Sequence, residues 1–115
     1  MSEGNPSVRI VLTSAGSARD GGRLARALVE ERLAACATVL PGAVSIYRWK
    51  GQMETADEVV LLIKTTEEQV AALEKRLKEL HSYETPEFLV LKVEGGNEEY
   101  LAWLKSSVGE TQSES

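Results

Sequence analysis

Two short segments set the terms for any fold this chain adopts. Val59-Val60-Leu61-Leu62-Ile63 is apolar at five consecutive positions, and Phe88-Leu89-Val90-Leu91 repeats the pattern over four. Both are bulky and rich in β-branched or aromatic residues, and both read as strands. Successive side chains on a strand point to opposite faces. A sheet built on these segments is therefore apolar on both sides at its centre, where an antiparallel sheet with one wet face would alternate.

The remaining pattern supplies the other elements. Val8 to Thr13 reads as a strand. Ser17 stands three residues before Asp20 as an N-cap. A helix follows in which Leu24, Ala27, Leu28 and Leu33 fall near helical spacing, and the pattern predicts its end near Ala34 or Ala35. Gly21-Gly22 weakens its first turn. Ala37 to Leu40 is a strand, Pro41-Gly42 bends or bulges it, and Val44 to Trp49 resumes it. Lys50-Gly51-Gln52 turns the chain into a return strand from Met53 to Lys64. Thr66 and Gln69 have capping-box spacing ahead of an amphipathic helix carried by Val70, Leu73, Leu77 and Leu80. Phe88 to Val93 is the last main strand, and Asn97 caps a short helix with Tyr100, Leu101, Trp103 and Leu104. The order β-α-β-β-α-β plus a terminal helix predicts an α+β, ferredoxin-like fold: a four-stranded antiparallel sheet with two helices on one face. Residues 8–108 form the expected single domain, between a flexible leader over 1–7 and a flexible tail over 109–115.

Two helices cover one face of such a sheet. The other would expose more apolar surface than the few hundred Å² a monomer usually tolerates. The terminal helix is too short to cover it all. The sequence therefore predicts a homo-oligomer with sheets packed face to face.

Composition removes several function classes. Thirteen basic against eighteen acidic residues give a net charge of −5, without the basic field that nucleic-acid binding requires. No apolar run approaches the roughly 20 residues of a membrane-spanning helix, and no basic, then apolar, leader suggests secretion. Cys36 is the one cysteine and His81 the one histidine, so neither an intrachain disulfide nor a closed Cys/His zinc site fits. A cytoplasmic, reducing compartment is expected. Ser14 and Ser17 lack a His–carboxylate partner in the pattern, and Gly16, Gly21 and Gly22 match no phosphate-binding motif. No enzyme activity is expected.

Five segments carry a resemblance: Leu33-Ala34-Ala35-Cys36-Ala37-Thr38, Ser45-Ile46-Tyr47-Arg48-Trp49-Lys50-Gly51, Ile63-Lys64-Thr65-Thr66, His81-Ser82-Tyr83-Glu84-Thr85-Pro86-Glu87 and Gly96-Asn97-Glu98-Glu99-Tyr100-Leu101-Ala102-Trp103. In this order and spacing they resemble the CutA family of divalent-cation tolerance proteins. The resemblance implies a homotrimer with the architecture of the PII signalling proteins, and a part in tolerance of copper and other divalent metals. The family commonly has proline after the motif histidine, where this chain has Ser82. Some members carry a second cysteine near the end of the first strand, where this chain has Thr13 or Ser14.

The resemblance points to Cys36 and His81 as metal ligands, completed by water, by a carboxylate such as Glu84 or by a neighbouring subunit. Thiolate and imidazole suit copper or zinc. Against this, Cys36 also reads as a small buried residue near a helix C-terminus, where the dipole opposes the thiolate. His81 also reads as a helix cap. Tyr47 and Trp49 lie two apart and share a face. With Lys64, Tyr83, Glu87 and Trp103 they are candidates for an inter-subunit ligand cleft, the alternative being plain interface packing. Two further readings of function stay open, a PII-like sensor of a small ligand and a structural trimeric scaffold.

Overall fold

The computed structural model describes residues 7–110. Most of the expected leader and tail lies outside that range. The elements are β1 (Val8–Ala15), α1 (Ala18–Glu30), β2 (Cys36–Trp49), β3 (Gln52–Thr66), α2 (Val70–Leu80), β4 (Leu89–Lys92) and α3 (Glu98–Ser106), with a 3-10 turn at Glu67–Gln69. The strands lie in the order β2-β3-β1-β4, and every neighbouring pair is antiparallel. This is the ferredoxin-like arrangement the pattern predicts.

The run Val59–Ile63 divides between two environments. Val59, Leu61 and Ile63, with Val11 and Ala15 of β1, pack against Leu24 and Leu28 of α1 and Leu73 and Leu77 of α2. Val60 and Leu62 point the other way and remain half-buried. α1 lies close to the sheet because Gly21 has no side chain: a Cβ there would stand 2.8 Å from a Val59 methyl and 3.3 Å from one of Val39. A Cβ on Gly22 would meet nothing within 4 Å.

Two local expectations are corrected. The first helix stops at Glu30, short of Ala34, because Arg32 takes a left-handed conformation with φ 61°. The N–H groups of Leu33 and Ala34 then both turn back to the Leu28 carbonyl, at 3.0 and 3.3 Å, closing the helix. The Arg32 guanidinium donates to the carbonyls of Gly109 at 2.7 Å and Ser106 at 3.0 Å, and the Gly109 N–H returns a bond to the Arg32 carbonyl. Long-range bonds thus surround a position where no glycine announces a stop. Cys36 consequently opens β2 instead of closing a helix. Secondly, the Thr66 side chain caps nothing, and a 3-10 turn precedes α2. The caps by Ser17 on Asp20 and by Asn97 on Tyr100 are present.

α3 folds onto the far face of the sheet, where Leu101 and Leu104 bury Val8 and Ala35. It covers one end only. Beyond it Leu89 remains 51% and Leu91 48% exposed, next to the half-buried Leu12, Val60 and Leu62. β1 ends opposite Val59, so past this point the β2–β3 hairpin continues as a two-stranded arm with no third strand beside it among the described residues. The arm gives the molecule a length of 50 Å against widths of 28 and 23 Å. Ile46 on the arm is 67% exposed and Met53 64%.

The adjacent glycines of α1 make opposite predictions. Gly21→Ala forces a methyl against stiff β-branched side chains and lowers stability by about 1–3 kcal/mol. Gly22→Ala raises it by about 0.5–1 kcal/mol, since alanine restricts the unfolded chain at no steric cost. Thermal and denaturant unfolding of the two variants checks the pair.

Candidate functional site

The bulge at Pro41-Gly42 decides which side chains meet. Up to Leu40, the even-numbered residues of β2 share the open face with Lys64, Leu62 and Val60 of β3. The register then shifts, with Gly42 at φ 81°, and Ala43 pairs with Glu58. From there the odd-numbered residues Ser45, Tyr47 and Trp49 occupy that face. Without the extra residue they would point to the helix side.

One polar cluster stands at the arm end of this face. The Ser45 hydroxyl donates to Glu58 Oε1 at 2.6 Å, and the Tyr83 hydroxyl donates to Oε2 at 2.8 Å. Ser14 Oγ approaches the same oxygen at 3.5 Å. Glu58 forms no ion pair among the described residues. The Tyr83 ring crosses the end of β1 beside Gly16, where a Cβ would stand 3.4 Å from the phenol oxygen. The Tyr83 N–H donates to His81 Nδ1 at 3.0 Å, which in the neutral ring leaves the proton on Nε2, 2.7 Å from the Ser14 carbonyl. His81 is 8% exposed, and its ring lies against that of Tyr83 with centroids 4.7 Å apart. Burial first, and then the Glu58 carboxylate, push the Tyr83 phenol up to about 12.

A second cluster stands at the α3 end. Lys64 Nζ donates to the Tyr100 hydroxyl at 3.1 Å and lies 5.4 Å from the centre of that ring. The Tyr100 and Trp103 rings are 5.3 Å apart. Cys36 pairs with Lys64 across the strands, its sulfur 4.0 Å from Thr38 Oγ1. The Tyr100 hydroxyl, accepting from the ammonium, raises the Lys64 pKa above its ordinary value. Lys64 lies six positions along β3 from Glu58, roughly 20 Å along the strand.

The predicted cleft residues therefore divide. Tyr47 and Tyr83 belong to the first cluster, with Tyr47 close enough to add a small part to the rise of the Tyr83 phenol. Lys64 and Trp103 belong to the second. Trp49 stands near the hairpin tip, with Lys50 Nζ 5.8 Å from its ring centre. The predicted metal ligands divide too: His81 is in the first cluster and Cys36 in the second. Glu84 and Glu87 present their side chains to solvent, without a hydrogen bond or ion pair among the described residues. The Glu87 carbonyl is held by the buried Thr13 hydroxyl, which ties the loop after α2 to β1. Among the described residues no three His, Cys, Asp or Glu side chains gather closely enough to hold a metal ion. A shallow hollow of about 810 Å³ runs along α1 from Ala18 to Glu30 and touches neither cluster.

Sequence reasoning passed over Glu58 and Ser45, weighed Ser14 as a nucleophile and placed Tyr100 only as a residue of the terminal helix. Glu58 had a signal, a carboxylate in phase with the apolar Val60 and Leu62 of the same strand. Ser45 had none, because the bulge hides its phase.

The profile of the CutA1 divalent ion tolerance protein family matches residues 9–107. The chain belongs to this family. The divalent-cation tolerance protein CutA of Pectobacterium atrosepticum is 48% identical over 99 residues, spanning 86% of this chain and 90% of that one. Its counterpart in Thermus thermophilus is 45% identical over 100 residues, spanning 87% and 97%. The crystal structure of rice CutA1 superposes with a TM-score of 0.89 at 38% identity, covering 93% of this chain and 98% of that one. The two clusters are thus features of a CutA1 chain.

Because the Tyr83 phenol is raised in the fold, the unfolded chain loses this proton first as pH rises. The bound proton contributes stability that is complete below the ordinary tyrosine value near 10 and declines as pH climbs to about 12. Tyr83→Phe flattens the fall in stability over this window. Glu58→Gln lowers the phenol's value without restoring it to 10, because burial remains. Ultraviolet titration and alkaline denaturation read the two effects.

Proposed function

We propose that this CutA1 protein works as a cytoplasmic homotrimer that binds divalent cations, copper among them, and serves tolerance of those ions as a binding protein rather than an enzyme. The observation that carries the oligomer is the second face of the sheet. Leu40, Leu89 and Leu91 on that face, and Ile46 and Met53 on the arm, are large apolar side chains left in water by a single chain. Moving each from half-exposed to buried contributes on the order of 1 kcal/mol, repeated at every interface. The number three and the metal come from the family.

The chemistry of one protomer limits the metal site. Cys36 and His81 occupy different clusters, and both His81 nitrogens are already hydrogen-bonded. Binding at Cys36, His81 or Glu84 therefore draws on donors from a neighbouring protomer and on water. It is weak, because a histidine ligand must first give up a bond. Calorimetric titration with copper(II) tests this: saturable heat is expected for the full-length protein, reduced about tenfold in affinity in Cys36→Ser or His81→Ala. Negligible heat in all three proteins would remove the metal reading.

A second reading, a sensor of a small polar ligand between protomers, is favoured by the Lys64–Tyr100–Trp103 group, a cation beside two half-exposed aromatic rings. A thermal-shift panel of nucleotides and carboxylates should then contain a compound that stabilises the wild type and not Lys64→Ala. A panel without such a compound counts against it.

A further inference from the structure

The two clusters have complementary deficits. Glu58 collects hydroxyl donors from Ser45, Tyr83 and Ser14, and no cation among the described residues reaches it. Lys64 rests on a hydroxyl and an aromatic face, and no carboxylate among the described residues reaches it. Both side chains sit on the same face of β3, at opposite ends of the apolar surface that one chain leaves open. A carboxylate and an ammonium at the margins of a surface being desolvated each need a partner, since an unpaired charge carried into an interface is strongly unfavourable. They are too far apart to meet within a protomer.

A closed ring of copies supplies that partner. In a cyclic assembly every subunit uses one patch against the previous copy and a different patch against the next. One protomer's arm end can thus be presented to its neighbour's α3 end at every junction. We infer that the ligand cleft of this protein is composite: Glu58, Tyr83 and Tyr47 of one protomer face Lys64, Tyr100 and Trp103 of the next, with the Glu58 carboxylate paired to the neighbour's Lys64. The inference rests on the trimeric reading and adds to it which residues each copy contributes. It also accounts for the phase shift at Pro41-Gly42, which brings Ser45 and Tyr47 to the face where the neighbour docks.

Cross-linking tests the juxtaposition directly. The full chain carrying Cys36→Ser, Glu58→Cys and Lys64→Cys is treated with a bis-maleimide too short to span the roughly 20 Å between the two positions in one protomer. A ladder of covalent dimer and trimer on a denaturing gel is expected, absent when either new thiol is omitted. If light scattering shows an oligomer and no ladder forms, the pairing is wrong while the trimeric reading stands. A single-chain particle in light scattering overturns both.

The variants Glu58→Gln and Lys64→Gln provide a second measurement that keeps the fold's hydrogen-bonding shapes. Each is expected to raise the dissociation constant of the assembly about tenfold, and the double variant no further. Fully additive losses would overturn the pairing.

Discussion

The structure depends on a mismatch between its layers. The sheet is apolar on both faces through β1, β3 and β4, and α1 and α2 cover one of them. Most of what is distinctive in the molecule answers to that mismatch. α3 shields the Val8 end of the open face and reaches no further. β4 is four residues long and leaves its leucines half in water. The hairpin arm projects past the sheet with apolar side chains on both of its sides. Two-stranded ribbons have marginal stability alone, so on the proposed trimeric reading a neighbouring copy supplies the arm's support.

The polar groups are placed by the same constraint. A carboxylate and an ammonium on an apolar face are expensive unless they are held, and each is held by local hydroxyls and aromatic rings at opposite margins of the patch. His81 is part of the scaffold at one margin. Its two nitrogens bind the chain before and after it, linking the end of β1 to the loop after α2. The histidine thereby orients Tyr83, and Tyr83 orients Glu58. A residue that draws the eye as a ligand has, in the single protomer, a positioning role.

Much of this was legible in the sequence. The strand and helix order, the caps at Ser17 and Asn97, the bend at Pro41-Gly42 and the surplus of apolar surface all follow from local pattern. What was not legible depends on contacts distant in sequence. The end of α1 is set by Arg32 in a left-handed conformation secured by residues more than seventy positions away, and no propensity signals it. Gly21 looks like a weak helix residue and is a packing requirement, visible only once Val59 lies beneath it. The candidate site failed to emerge whole because its phase is reset midway along β2. Tyr47 and Lys64 share a face, yet the sequence does not say that they stand at its opposite ends.

The central claim is that one chain cannot cover its own sheet and that copies of the chain do so. Sedimentation equilibrium of the full-length protein at micromolar concentration measures this without a label, a ligand or a variant. The account predicts a single species of three times the chain mass. A well-folded species of one chain mass would contradict it.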